Sequence, residues 1–275
     1  MADESRAVLE RPARPPDLTL RYGDLPDQVI DVRLPSAPTE SPLIVFLHGG
    51  FWRQEYDRTH TGPLAEALAG SGFVVATPEY RRTGGAGGWP ATFDDVAAAV
   101  RGTPELIRSA GVAVATSGVI LAGHSAGGHL ALWAVPASSE PVAGVVALAP
   151  VADLTLAYEL DLDQGAVATL LGGGPDEFPE RYAATDPRHR VPLGVRMEIV
   201  HGRRDRVVPV TLSRRLAAAA RLAGDIVGLD EPDCDHFAVI DPESAAWSRV
   251  SAAVGRVTPG TGANTAHVDA RDDSE

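Results

Sequence analysis

The amino-acid sequence predicts an α/β fold in which a mostly parallel central sheet is flanked by helices. Short apolar runs alternate with alanine-rich stretches of helical spacing along most of its 275 residues, which is the pattern of strands joined by crossover helices. A composition of 44% hydrophobic and 22% charged residues is typical of a globular chain with a substantial core. We therefore expect one domain over residues 17–256, between polar, disordered tails at residues 1–16 and 257–275.

Eight strands are predicted in chain order. Residues 18–22 and 29–34 alternate apolar and polar side chains, which indicates an antiparallel edge of the sheet. The later candidates are continuous apolar runs, as expected for parallel strands that are buried on both faces. These runs cover residues 43–47, 73–77, 118–122, 142–149, 195–200 and 226–229.

Helices are predicted between these strands. Pro90, followed by the acidic pair Asp94 and Asp95, is a good helix opening, and this helix should end near Ser109. A second helical stretch covers residues 210–222.

The sequence GHSAG at residues 123–127 interrupts an apolar run that then resumes with helical spacing. A serine on a sharp strand-to-helix turn needs small residues two positions to either side, and Gly123 and Gly127 occupy those positions. The pattern predicts a nucleophile elbow with Ser125 at its tip. The alternative is a glycine-rich turn with an incidental serine.

An apolar strand runs directly into His48-Gly49-Gly50, which indicates a loop that binds an oxyanion. Two glycines allow the backbone to approach a substrate closely. An N–H group of Gly50 or its neighbours, together with that of Ala126, could then hold a developing negative charge. An ordinary turn between strand and helix is the alternative.

Asp205 and His236 each follow a predicted strand, and they are the candidate acid and base. The chain order of Ser125, Asp205 and His236 is the order of nucleophile, acid and base in α/β-hydrolases. Asp205 could instead cap the following helix, and His236 could be a packed loop histidine. The coincidence of all three motifs on the correct strand ends argues against these alternatives.

The motifs HGGFWR, GHSAGGHLA, HGRRD with VP following, and DHFAVI together resemble the kynurenine formamidase (arylformamidase) and carboxylesterase branch of the α/β-hydrolases. The resemblance covers most of residues 20–255, and HGG followed by two aromatic residues points to the formamidase branch. It implies the α/β-hydrolase fold and an oxyanion and substrate site at Gly49 and Gly50 flanked by Phe51 and Trp52.

Two segments do not fit the strand and helix alternation. We expect residues 81–90 to form a flexible loop beside the active site, because their glycines lack a nucleotide-binding spacing. Residues 153–190 should form a short cap over the nucleophile, or else a purely structural helical excursion. Trp52 and Trp89 could provide an aromatic wall for a substrate, or serve only in packing, which is the more common role of buried aromatic residues in loops. Arg53 could pair with a substrate carboxylate, or form a surface ion pair.

The predicted function is hydrolysis of a small formamide or ester through an acyl-enzyme, with N-formylkynurenine-like substrates. A general short-chain carboxylesterase is one alternative, because it would use the same three residues. A catalytically idle hydrolase fold that binds a small ligand is an alternative of another class. The three candidate catalytic residues argue against the idle fold.

Composition excludes several other chemistries. All 24 basic residues are arginines, so no lysine is present for a Schiff base or a phosphate-binding loop. Cys234 is the single cysteine, which excludes an internal disulfide and a cysteine-rich metal site. His48, His124 and His129 could suggest a metal site, but their places in the oxyanion loop, the elbow and the helix after it account for them better. We expect no cofactor and no metal.

The net charge of −13 argues against nucleic acid as a partner, because phosphates would be repelled. No apolar run approaches the length of a membrane span, and no apolar signal segment begins the chain. We therefore expect a cytoplasmic protein whose partner is a small-molecule substrate. A homodimer is left open.

Overall fold

The computed structural model, which describes residues 4–36 and 40–259, contains one eight-stranded sheet with strand order β1-β2-β4-β3-β5-β6-β7-β8. Strands β1 and β2 pair antiparallel, β2 also pairs antiparallel with β4, and all other pairings are parallel. The predicted mostly parallel sheet with an antiparallel edge is confirmed. The strands are β1 (Leu18–Arg21), β2 (Val29–Arg33), β3 (Ser41–Leu47), β4 (Val74–Pro78), β5 (Val114–His124), β6 (Val142–Leu148), β7 (Met197–Val200) and β8 (Val227–Asp230).

Helices cover both faces of the sheet, as expected for strands without a polar face. In β3, Leu43, Val45 and Leu47 belong to one core, whereas Ile44 and Phe46 belong to the other, because successive side chains point to opposite faces. The helices are α1 (Gly62–Gly70), α2 (Ala91–Ser109), α3 (Ala126–Trp133), α4 (Leu154–Glu159), α5 (Ala166–Leu171), α6 (Pro179–Thr185), α7 (Thr211–Leu222) and α8 (Trp247–Val257).

The two faces carry different helices. Buried side chains of α1 and α8 pack on one face, and those of α2, α3, α4, α5 and α7 pack on the other. The parallel register pairs Leu47 with Gly123 and His124 with Leu148. The carboxyl ends of β3, β5 and β6 therefore meet at one edge, where loops of an open α/β sheet form binding sites.

The N-terminal segment is ordered against the domain. Residues Glu4–Leu9 form a 3₁₀-helix, and Val8 is only 1% exposed in the core that contains α1 and α8. Arg11 forms an ion pair with Asp241 at 2.5 Å. The prediction of a disordered tail is therefore wrong for residues 4–16, because this segment carries its own apolar anchor and ion pairs. Residues 1–3 lie outside the described residues.

The C-terminal boundary also differs slightly from the prediction. Helix α8 continues to Val257, whose side chain is buried, so the domain extends past the expected end at residue 256. Residues 260–275 of the predicted tail lie outside the described residues. Within the described part of the chain, no helix has the length and apolar character that a membrane crossing requires.

Candidate active site

Ser125 lies on the turn between β5 and α3 with φ 54° and ψ −118°, a backbone conformation that non-glycine residues rarely adopt. Its glycine neighbours are required by space. A Cβ at Gly123 would lie 2.2 Å from the carbonyl oxygen of Gly127, and a Cβ at Gly127 would lie 2.0 Å from that of Leu47. The turn has the geometry expected of a nucleophile elbow.

Asp205 and His236 are joined by a hydrogen bond. His236 Nδ1 and Asp205 Oδ2 are 2.6 Å apart, and Asp205 Oδ1 accepts hydrogen bonds from the N–H groups of Val207 and Val208 at 2.8 Å each. His201 Nε2 lies 3.1 Å from the same Oδ2. Both carboxylate oxygens are therefore held, and the acid can orient the His236 ring.

The environment keeps Asp205 ionised. Burial by itself raises the pKa of the Asp205 carboxyl, but the hydrogen bonds from His201 and His236 outweigh it and hold the pKa well below its usual range. The acid therefore carries its negative charge at neutral pH, beside the imidazole that would become positive during proton transfer.

Ser125 and His236 line the same cavity, which has a volume of about 210 Å³. Among the described residues, the Ser125 hydroxyl makes no hydrogen bond, so the two side chains share a cavity wall without a bond between them. Gly50, Phe51 and Tyr56 complete one side of this wall. The structure thus brings the predicted nucleophile, base and acid to one place, and this cavity is the candidate active site.

His124 is a contact of His236 that the sequence motif alone did not reveal. Its Nε2 lies 3.0 Å from the backbone carbonyl oxygen of His236, which can only accept, so Nε2–H is the donor. The two rings are 4.5 Å apart. Burial and the nearby His236 lower the pKa of His124 well below its usual value. A neutral His124 therefore supports the loop that carries His236.

The loop after β3 passes directly over the elbow. A Cβ at Gly49 would lie 2.9 Å from the carbonyl oxygen of His124, so only glycine fits there. Gly50 has φ 108°, and both Gly50 and Phe51 line the cavity. Among the described residues, the N–H groups of Gly50 and Phe51 have no acceptor. The N–H of Ala126, the first residue of α3, has no acceptor within its helix.

Trp52 does not reach the cavity. Its side chain is fully buried and packs edge-on against the ring of His129 at 5.2 Å. The prediction that Trp52 flanks the substrate is wrong, because the turn closed by the hydrogen bond from Arg53 N–H to the Gly50 carbonyl directs Trp52 into the core. Trp89 packs against Phe93 at 5.3 Å and is not part of the cavity wall either.

The segment of residues 81–90 braces the oxyanion loop from behind. Thr83 N–H donates to the carbonyl oxygen of Trp52 at 2.8 Å, and Gln54 N–H donates to the carbonyl oxygen of Thr83 at 2.9 Å. The segment contributes no residue to the cavity wall. The segment therefore lies beside the oxyanion loop, as expected, but behind it and not in the cavity wall, because its backbone is bound to residues 52–54.

Helices α4, α5 and α6 form the cap segment, and Asp163 of this segment lines the cavity. Asp163 Oδ2 accepts a hydrogen bond from Arg53 Nε at 2.5 Å. Of the two interpretations of Arg53, the ion pair is the one observed. It connects the oxyanion loop to the cap and leaves the guanidinium engaged.

A buried polar network supports the oxyanion loop. His48 Nε2 lies 2.8 Å from Glu79 Oε1, and the Tyr80 hydroxyl donates to the carbonyl oxygen of His48 at 2.7 Å. Burial alone would raise the pKa of the Glu79 carboxyl, but the adjacent His48 and Arg82 lower it to about 2. His48 of the HGG motif therefore supports the oxyanion loop.

Comparison with known proteins places these observations in a family context. The family BD-FAE matches residues 30–220. Kynurenine formamidase of Danio rerio is 32% identical over 120 residues, which cover 40% of this chain and 35% of that protein. Kynurenine formamidase of Salmo salar is 31% identical over 124 residues, which cover 42% of this chain and 36% of that protein. The match thus spans about a third of the length of these relatives.

Solved structures share the fold. A truncated form of a carbohydrate esterase from gut microbiota has a TM-score of 0.74 at 20% identity and covers 89% of this chain and 99% of that chain. Esterase B from Lactobacillus rhamnosis has a TM-score of 0.76 at 19% identity, and the match covers 93% of this chain and 90% of that chain. At these identities the likeness concerns the fold, which is that of the α/β-hydrolase esterases.

Proposed function

We propose a substrate and a nucleophile for this chain, which belongs to the BD-FAE family and is a hydrolase of the esterase type. In this proposal it cleaves N-formylkynurenine-like aryl formamides, and Ser125 is the nucleophile. The observation that carries the serine mechanism is the His236–Asp205 hydrogen bond, because His236 shares its cavity with Ser125. The formamide substrate is supported by the similarity to two proteins named kynurenine formamidase. A cavity of about 210 Å³ is in keeping with a small-molecule substrate.

Acylation begins when His236 Nε2 accepts the proton of the Ser125 hydroxyl as Oγ attacks the formyl carbon. The carbonyl oxygen becomes a tetrahedral oxyanion. In the proposed mechanism the N–H of Ala126 and the free N–H groups of Gly50 and Phe51 stabilise this charge. Asp205 stays ionised and stabilises the imidazolium of His236.

Collapse of the tetrahedral species breaks the bond to nitrogen. His236 donates its proton to the departing aryl amine, and the formyl group remains on Ser125 as an ester. Water, deprotonated by His236, then attacks this ester, and formate leaves as Ser125 regains its proton.

The first experiment compares wild type with Ser125→Ala on N-formylkynurenine and on short 4-nitrophenyl esters, with kcat/KM measured for each. We expect a preference for the formamide, and we expect the substitution to reduce turnover by about three or more powers of ten while the far-UV circular dichroism stays unchanged. Ser248→Ala, at a serine of α8 outside the cavity, is the matched control.

Two results would contradict the proposal in different ways. Undiminished hydrolysis by Ser125→Ala would overturn the assignment of the nucleophile. Efficient ester cleavage with negligible formamide turnover would make the protein a short-chain carboxylesterase, and the formamidase resemblance would then concern ancestry alone.

A further inference from the structure

The N-terminal 3₁₀-helix Glu4–Leu9 contributes to the wall of the candidate active site. Arg6 and Leu9 line the same cavity as Ser125 and His236. The segment is held in this place by Val8, which is buried in the core beside α1 and α8, and by the ion pair between Arg11 and Asp241. One side of the cavity is therefore built by a part of the chain that precedes the first strand.

The Arg6 guanidinium lies next to the catalytic candidates. Its Cζ is 5.3 Å from the centre of the Phe237 ring, and that ring is 5.0 Å from the His236 ring. Among the described side chains, Arg6 forms no ion pair and no hydrogen bond. This cation–π contact occupies one face of the guanidinium and leaves its N–H donors free for a ligand.

The carboxylate of the cavity wall is already paired. Asp163 forms an ion pair with Arg53, and no other carboxylate among the described residues lines the cavity. Burial lowers the pKa of His60 to about 4, so this ring is neutral at pH 7. Among the described side chains, Arg6 is thus a cation of this cavity without a paired carboxylate, in a chain whose net charge is −13.

We propose that Arg6 binds a carboxylate carried by the leaving group of the substrate, so that the enzyme selects aryl formamides or aryl esters bearing an acidic group. This inference rests on the proposed function, because it names the substrate class of the same cavity. A planar guanidinium binds a carboxylate through two parallel N–H donors. Binding of a substrate carboxylate, which the sequence position suggested for Arg53, therefore belongs to Arg6. Among the described residues, Arg6 forms no ion pair with a carboxylate of the protein.

A pair of substrates with the same acyl group tests this inference. Phenyl acetate has a neutral leaving group, and 4-acetoxybenzoate has one that carries a carboxylate. We expect Arg6→Gln to reduce kcat/KM on 4-acetoxybenzoate by about tenfold, mainly through KM, and to change that on phenyl acetate by less than about twofold. The wild-type preference for the acidic substrate should also weaken as ionic strength rises.

Arg14→Gln is the matched control. Arg14 belongs to the same N-terminal segment, but it pairs with Glu66 and does not line the cavity that holds Ser125. We expect this variant to leave both kinetic constants unchanged on both esters. Calorimetric titration with 4-hydroxybenzoate gives a second readout that does not depend on turnover, and binding should weaken by about tenfold in Arg6→Gln.

Several outcomes would overturn the inference. An equal loss of kcat/KM on both esters would indicate a structural role for Arg6. Unchanged kinetics on both esters would show that Arg6 does not contact the substrate. Binding of 4-hydroxybenzoate that is absent from wild type, or unaffected by the substitution, would also contradict the inference. Failure of the proposed function is recognised separately, as wild-type hydrolysis of esters without hydrolysis of N-formylkynurenine. In that case the ester pair still decides the role of Arg6.

Discussion

Two neighbouring side chains hold His236, one at its ring and the other at its backbone. Asp205 holds ring atom Nδ1 at 2.6 Å, while His124 donates to the backbone carbonyl oxygen at 3.0 Å. The ring and the loop that carries it are thus anchored separately. Such a residue has a defined position before a substrate arrives, which lowers the cost of reaching the reactive geometry.

His124 is therefore expected to act as a positioning residue. His124→Leu removes the donor to the His236 carbonyl, and we expect kcat to fall by about tenfold with little change in KM. His124→Gln keeps an N–H donor of similar reach and should recover most of kcat. Steady-state kinetics of both variants on the preferred substrate, with the exposed His189→Gln as control, measures the effect. Equal losses in the two His124 variants would show that the hydrogen bond is not what matters.

Close backbone contacts join the elements that form the site. Helix α3 begins against the end of β3, where Gly127 faces the carbonyl oxygens of Leu47 and His48. The oxyanion loop in turn passes over the elbow at Gly49. Since three backbone segments meet here without side chains between them, the elbow and the oxyanion loop form one rigid unit.

Gly127→Ala should disrupt this unit. The added Cβ would lie 2.0 Å from the Leu47 carbonyl oxygen, so β3 or α3 must shift. We expect a loss of about 2 kcal/mol or more in the free energy of unfolding, measured with urea, and loss of hydrolysis.

Gly102→Ala in α2 is the matched control, because its Cβ would lie at an ordinary 3.7 Å from Leu106 Cδ1. Replacement of a helical glycine by alanine should be neutral or stabilising by about 0.5–1 kcal/mol. Equal stability of the two variants would contradict the tight contact at Gly127.

The whole molecule buries several titratable groups whose pKa values lie below their ordinary values. Burial lowers the pKa of His60 and His129 to about 4, while the adjacent His48 and Arg82 help to lower that of Glu79 to about 2. In each case the unfolded chain binds the proton more tightly than the folded protein. Stability therefore rises with pH across the interval between the folded and unfolded pKa values.

Stability should fall on acidification in two stages. The histidines contribute between about pH 6.5 and 4, and Glu79 contributes below about pH 4.5. His129 alone should account for about 1 kcal/mol of the loss between pH 7.5 and 5.5. Urea unfolding at pH 7.5, 5.5 and 4.5 measures this loss.

His129→Gln should reduce the loss of stability between pH 7.5 and 5.5 by about 1 kcal/mol, since it removes one of the titrating rings. The same change at the exposed His189 should leave the dependence as in wild type. A wild-type stability that is constant down to pH 5 would refute the expectation.

Much of the sheet could be predicted because the signal is local. Alternation of apolar and polar residues predicted the first two strands, and apolar runs predicted the other six, each within a few residues. The prediction was least accurate for β5, since its first part, residues 114–118, includes exposed and polar side chains. The elbow was predictable for a similar reason. Its glycines are required by contacts that any strand-to-helix turn of this kind makes.

Other features depend on which distant segments meet. Residues 4–16 have the composition of a disordered tail, yet Val8 is buried in the core that contains α1 and α8, and Arg11 forms an ion pair with Asp241. The aromatic Trp52 was expected at the cavity because it follows the oxyanion loop, but a single left-handed turn directs it into the core. Neither outcome can be deduced from a local pattern.

The sequence by itself determined the fold class, the esterase-type elbow and the chain order of the candidate acid and base, because spacing and residue size decide these locally. Only the tertiary structure decided which arginine of the site has no ion pair among the described side chains, since Arg53 pairs with Asp163 of the cap and Arg6 pairs with none of them. Charge compensation is a property of neighbours in space. It was therefore decided when the N-terminal segment, the oxyanion loop and the cap packed around one cavity.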